Sequence, residues 1–235
     1  MSRQPAPLLS VTALAAGWPG ARRPVCGPLS FALAPGEILG IGGANGAGKS
    51  TLLAAIAGSA RIFAGSVERR PGLRLAHQRQ LPPAFAGVPF NGHDLLALTG
   101  ASSAGLPPWL ASRLALRLDT LSGGQRQFLH LWASLRAPAD LVMLDEPTNN
   151  LDPAGVAALE VALRRRAADG VGLLLVSHDA RFIAAVCGRV LQLDAPAEAP
   201  PDDEFDCDSG CDSGCDSGNE AGTSATASVS LEERR

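Results

Sequence analysis

The chain has 235 residues and 46% hydrophobic content, which suits a globular protein with one sizeable domain, or a domain carrying a small lobe. Its net charge of −3 conceals a split, because residues 196–235 hold 11 acids against 2 arginines while the remainder holds 12 acids against 18 bases. A mild excess spread along a body is weak evidence for nucleic acid, no apolar run nears the roughly 18 residues that span a bilayer, and Met1-Ser2-Arg3-Gln4-Pro5 opens no apolar leader segment. Membrane work is therefore expected to come through a partner, and no nucleic-acid partner is expected. Cys26 and Cys187 stand alone in apolar surroundings, so a disulfide framework is not expected and the usage agrees with the cytosol. Aromatics make up 4% and tyrosine is absent, which leaves packing to Leu, Ala and Val.

In chain order, Leu8–Leu14 and Leu29–Leu33 read as strands on either side of the turn Gly17-Trp18-Pro19-Gly20, giving a β-rich opening. Trp18 offers a flat face on which a nucleobase could stack. A third strand, Glu37–Gly42, runs into Gly43-Ala44-Asn45-Gly46-Ala47-Gly48-Lys49-Ser50-Thr51, and a helix Thr51–Ala57 follows. This is the G-x-x-x-x-G-K-[ST] spacing in the strand-to-helix context that it needs. Glycines let the backbone turn its N–H groups around phosphate oxygens, the helix aims its positive end at them, and Lys49 adds a point charge. The Ser50 hydroxyl can ligate Mg²⁺. Lys49 is the only lysine in the chain, a compact ammonium where a planar guanidinium would fit badly under a phosphate.

Gly65–Glu68 and Leu73–Ala76 read as short strands leading to His77-Gln78-Arg79-Gln80. After the Pro- and Gly-broken stretch that follows, helices are expected over Asp94–Leu98 and Trp109–Leu118, a small helical lobe inserted into an α/β body. Leu121-Ser122-Gly123-Gly124-Gln125 opens another helix, from about Arg126 to Leu135, and its unpaired N–H groups make a second candidate anion site. Leu141–Leu144 is the continuous apolar run of a strand buried on both faces and ends in Asp145-Glu146-Pro147, where an open α/β sheet binds its ligand. There Asp145 can hold Mg²⁺ through water and Glu146 can polarise an attacking water. Asn149–Pro153 caps a helix over Ala154–Ala168, Leu173–Val176 is a further buried strand ending in Ser177-His178-Asp179, and Val190–Leu193 is the last strand. From Ala195 the composition turns to proline, acids and three copies of Cys-Asp-Ser-Gly, which cannot bury a core and predict a disordered tail over 195–235. Its thiols and carboxylates could capture a soft divalent metal, although the four-residue spacing is not the paired form of closed zinc sites.

With the P-loop, Leu121–Gln125, Leu144–Pro147, Asn150-Leu151-Asp152 and Ser177-His178-Asp179 in this order, the chain resembles an ATP-binding cassette (ABC) ATPase from about Leu8 to Leu193. The resemblance implies a P-loop NTPase fold with an ABC-type core over 8–194, an N-terminal antiparallel β subdomain and a helical subdomain over about 84–136. It implies ATP and Mg²⁺ as cofactors. Trp18 would stack on the adenine, while Gly43, Asn45, Gly46, Ala47, Gly48, Lys49, Ser50 and Thr51 would bind phosphates and the metal. Gln80 would be the glutamine sensing Mg²⁺ and the attacking water, with Gln78 the alternative. Ser122, Gly123, Gly124 and Gln125 would close on ATP held by an opposite protomer, with Asp152 beside them. Asp145 would serve the metal, Glu146 would be the catalytic base and His178 would contact the γ-phosphate.

These roles imply a homodimer or paired cassette, because each site is completed in trans. Departures from the family pattern are Phe128 and Trp132-Ala133, at positions that usually carry Arg and Ala-Arg, and a short interval between Gln80 and Leu121. The resemblance points to the ATPase subunit of an importer, peripheral on the cytoplasmic face of the plasma membrane, with a transmembrane permease and a substrate-binding protein as partners. The stretch Gly72–Leu98 is similar to zinc/manganese importers. The alternative is a soluble ABC ATPase acting on ribosomes or another macromolecule, to which the segments around Asp152 and His178 are also similar.

Overall fold

Strand formation follows the runs of leucine and valine. The computed structural model describes residues 6–79 and 90–193. Five strands form a parallel sheet: β3 (Ile38–Gly43), β5 (Leu75–Gln78), β6 (Leu141–Asp145), β7 (Gly172–Val176) and β8 (Arg189–Leu193), in the order β5-β6-β7-β3-β8. An antiparallel sheet of β1 (Leu9–Gly17), β2 (Cys26–Leu33) and β4 (Arg61–Arg69) packs in the order β2-β1-β4. Every residue of β6 and of β7 is buried, as strands covered on both faces must be.

Alternation within those strands divides the core in two. Val142, Leu144, Leu173 and Leu175 face one cluster, with the helices α4 (Gly123–Arg136), α5 (Pro153–Ala168) and α6 (Ala180–Val186). Leu141, Met143, Leu174 and Val176 face the other, with α1 (Lys49–Ala57) and the antiparallel sheet. Helix α1 is apolar around most of its circumference because it is buried among strands, with Leu52, Leu53 and Ile56 fully covered. Each such side chain contributes on the order of 2 kcal/mol.

Two helical expectations need correction. The helix expected over Trp109–Leu118 is only α3 (Pro108–Ala111), followed by turns and a 3-10 turn at Leu118–Thr120. The carbonyl of Leu114, which would have propagated the helix, instead accepts from Gly92 N and His93 N, at the start of α2 (Gly92–Thr99), and Leu118 N donates to Phe90 O. Helix α6 was not expected; Asp179 caps it, its Oδ1 accepting from Arg181 N and Phe182 N. Strand β4 is also longer than Gly65–Glu68, because pairing with β1 recruits Arg61–Ala64. The residues expected to form the tail and the first part of the helical lobe, 84–89, lie outside the described residues.

Phe128 and Trp132 build an aromatic row. Trp109 meets Phe128 edge-on at 5.1 Å, Phe128 lies near-parallel to Trp132 at 6.3 Å, and Trp132 Nε1 donates to Ser102 O at 2.9 Å. The row ties α4 to α3 and to the loop after α2. Cys26 and Cys187 are free thiols, and burial pushes Cys187 up to about 11.

His130 on α4 is buried, and that burial, with a smaller push from Arg126, brings its pKa down to about 4. The unfolded chain therefore binds a proton that the folded chain refuses, and stability is lost as pH falls from about 6.5 towards 4, by up to about 3 kcal/mol. His130→Leu is expected to flatten this acid limb relative to the parent in denaturant titrations at pH 7 and pH 4.5. An unchanged difference between the two pH values would contradict it.

Candidate functional site

The P-loop leaves β3 and wraps the N-terminus of α1. Gly48 makes this wrap possible: its φ is +87°, and a Cβ there would lie 2.5 Å from the Cβ of Cys26 on β2. The Lys49 ammonium donates to Gly43 O at 2.8 Å and Ala44 O at 2.9 Å, lying across the loop. Ser50 Oγ donates to Asp145 Oδ2 at 2.8 Å, so the start of α1 is joined to the end of β6. A hydroxyl and a carboxylate oxygen so paired are donors of the kind that a hard divalent cation takes.

Next to Asp145 the backbone turns sharply. Glu146 has φ of +51°, a left-handed conformation rare for a non-glycine residue, and its N–H is held by Val176 O at 2.8 Å. The turn brings Glu146 Oε2 to 2.7 Å from His178 Nδ1 and 3.3 Å from His178 N. A cleft of about 450 Å³ is lined by Trp18, Asn45, Gly46, Gly48, Lys49, Ser50, Thr51, Asp145, Glu146 and His178, together with Val25, Asn149 and Val176. Ten residues singled out from three separate sequence motifs and one turn thus face a single space. Gly43 and Ala47 support the loop from beneath, Ala47 being fully buried.

A second pocket, of about 380 Å³, gathers Ser122, Gly124, Gln125 and Asp152 with Trp109, Asn150 and Leu151. Ser122 caps α4 reciprocally: its Oγ accepts from Gln125 N and its own N–H donates to Gln125 Oε1, both at 3.2 Å. Gly124 lets the Asn150 carbonyl rest on the helix, since a Cβ there would lie 2.7 Å from that oxygen. Gly123 is exposed in the first turn of α4. Asp152 Oδ1 accepts from Gly155 N at 2.7 Å and caps α5.

The family model described as ABC transporter matches residues 26–99. The zinc import ATP-binding protein ZnuC of Cereibacter sphaeroides is 36% identical over 184 residues, 74% of this chain and 74% of that protein. Its counterpart in Paracoccus denitrificans is 34% identical over 186 residues, 74% of this chain and 72% of that one. The chain belongs to the ABC transporter ATP-binding family. A solved ATP-binding subunit of an ABC transporter superposes with a TM-score of 0.69 at 26% identity, over 83% of this chain and 91% of that one. As an ABC ATPase the chain is an ATP-binding, ATP-hydrolysing transporter subunit. Among its described residues no helix is long and apolar enough to cross a membrane.

Gln80 lies outside the described residues of this ABC ATPase. The alternative, Gln78, is not among the residues that line the cleft: it is buried on β5 with its Oε1 accepting from Ser134 Oγ of α4 at 2.9 Å. Motif reading missed Val25 and Asn149 in the cleft and Trp109 beside the Ser-Gly-Gly turn. Asn149 was legible as part of the turn after Asp145, whereas Val25 and Trp109 enter through packing of distant segments.

Burial raises the pKa of Asp145; the Ser50 hydrogen bond opposes this, the Glu146 charge adds to it, and Lys49 and Arg79 oppose it. For a carboxyl group raised on folding, the stability that it contributes is present while it is protonated and lost as pH rises through the folded value, so at neutral pH its ionisation costs stability. Asp145→Asn keeps an acceptor for Ser50 and removes that cost. It is expected to raise the melting temperature of the nucleotide-free ABC ATPase at pH 7 while abolishing divalent-cation stimulation of ATP turnover, and a lower melting temperature would contradict the electrostatic account.

Proposed function

We propose that the chain is the ATPase subunit of a zinc importer, working as a homodimer on the cytoplasmic face of the membrane with a transmembrane permease and a substrate-binding protein. The observation that carries the zinc reading is the 36% identity, over 74% of both chains, to a zinc import ATP-binding protein. Those relatives favour the transporter reading over a soluble ABC ATPase acting on ribosomes. The cytoplasmic location follows from the same reading, because ATP is held on that side.

In this reading the N–H groups from Gly43 to Gly48 and the start of α1 hold the phosphates, Lys49 exchanges its loop carbonyls for phosphate oxygens, and Trp18 stacks on the adenine. Ser50 and Asp145 would hold Mg²⁺, with Gln80 completing the set, and the bound cation would neutralise charge developing on the β- and γ-phosphates. Glu146 takes the proton of the attacking water as general base. The 2.7 Å contact engages His178 through Nδ1 and leaves Nε2 to meet the γ-phosphate. His178 thus orients the base and ties it to the phosphate being transferred.

The cleft and the Ser122–Gln125 pocket are separate on one chain. Hydrolysis on this reading needs the Ser-Gly-Gly turn of a second copy laid over the nucleotide, so ATP joins two cassettes and hydrolysis releases them. That closing and opening is what a permease would convert into alternating access.

Glu146→Gln is expected to bind ATP with Mg²⁺ and sediment as a dimer while turnover falls at least about 100-fold. Monomers in ATP, or rapid turnover, would reject the reading. In cells, deletion of the chain's gene is expected to abolish ATP-dependent uptake of radiolabelled zinc, restored by the parent and not by Glu146→Gln. Undiminished uptake in the deletion would reject zinc as the cargo.

A further inference from the structure

Trp109 lies outside every motif that carries the ABC resemblance, yet it forms one wall of the pocket that holds Ser122, Gly124 and Gln125. It is 38% exposed, one of few large apolar side chains so open to solvent. Its orientation is set from behind by the edge-on contact with Phe128, which is itself 1% exposed. A preorganised, half-exposed indole loses little conformational freedom when a flat ligand covers it.

The pocket therefore joins two chemistries. At one end backbone N–H groups at the start of α4 suit an anion, and at the other an indole suits a planar ring. The cleft on the same chain pairs the same two features, a glycine-lined helix start and Trp18, which is 43% exposed at the rim. Each pocket offers one aromatic and one set of phosphate donors, so two copies facing each other can cover one nucleotide from both sides.

We propose that Trp109 is a second nucleobase-contacting residue, supplied in trans, which stacks with the base or ribose of the ATP held by the partner's P-loop and Trp18. This rests on the dimer reading above and adds a residue to it. Phe128 is then a positioning residue that props the Trp109 indole towards the partner. Base–aromatic stacking is worth about tenfold or more per contact, and twofold symmetry applies the loss twice in each dimer.

The test is sedimentation of the full chain carrying Glu146→Gln, with ATP and Mg²⁺, comparing Trp109 with Trp109→Ala and Trp109→Phe. Trp109→Ala is expected to weaken ATP-dependent dimerisation by at least about tenfold, and Trp109→Phe to restore most of it. ADP affinity of the single chain is expected to match that of the parent in both variants, and Trp109→Phe, which keeps a ring against Phe128, is expected to keep the parent's melting temperature. Equal dimerisation in Trp109→Ala, a loss shared with ADP affinity, or no recovery in a Trp109→Phe variant that keeps the parent's melting temperature, overturns the proposal and leaves the dimer intact as a reading. Failure of the Glu146→Gln parent to dimerise in ATP is the distinguishable outcome that overturns both.

Discussion

Ser50 and Asp145 are 95 positions apart in the chain and 2.8 Å apart in space. For them to meet, β3 and β6 must end level with one another although β7 lies between them. Val176 on β7 pairs with Ile41 on one side and with Asp145 on the other, which brings the carboxylate level with the strand that feeds the P-loop. Slippage of β6 by one residue would send Asp145 to the opposite face and take its carboxylate away from the Ser50 hydroxyl. The alternating burial of Leu141 to Leu144 into two separate cores holds that register, so the site depends on the packing beneath it.

The same strand ends carry the costs of the site. Asp145 is a buried carboxylate whose pKa burial has raised, and Glu146 occupies a left-handed backbone conformation. Neither feature benefits folding taken alone. Both persist because the surrounding strands are fully buried and tightly paired, and because the turn they enforce places Glu146 against His178. Stability in the sheet is what holds these two unfavourable groups in the cleft.

With no tyrosine in the chain, aromatic recognition falls to its three tryptophans. Trp18 lines the P-loop cleft, Trp109 the pocket at the Ser-Gly-Gly turn, and Trp132 a third cavity, of about 460 Å³, beside Arg136 and Arg165. Trp109 and Trp132 are joined through Phe128 in a continuous packed row. The short helical segment gains rigidity from that row where its helices are brief.

The sequence by itself determined the P-loop, the carboxylates after a buried strand, the Ser-Gly-Gly helix start and the histidine at a second strand end, because each is a local pattern whose chemistry depends on neighbours in the chain. It also determined the parallel sheet, since Leu141–Leu144 and Leu173–Val176 have no polar face to expose. It misjudged the segment after Trp109, where distant backbone partners at Phe90, Gly92 and His93 compete with helix propagation. Helix α6 escaped notice because Asp179 reads as the end of a strand motif while its side chain serves as a cap. Only the tertiary structure decided that Gln78 turns towards Ser134, that Glu146 contacts His178, and that Trp109 stands beside the Ser-Gly-Gly turn. Those are contacts between residues 13 or more positions apart, set by register and packing that no local pattern records.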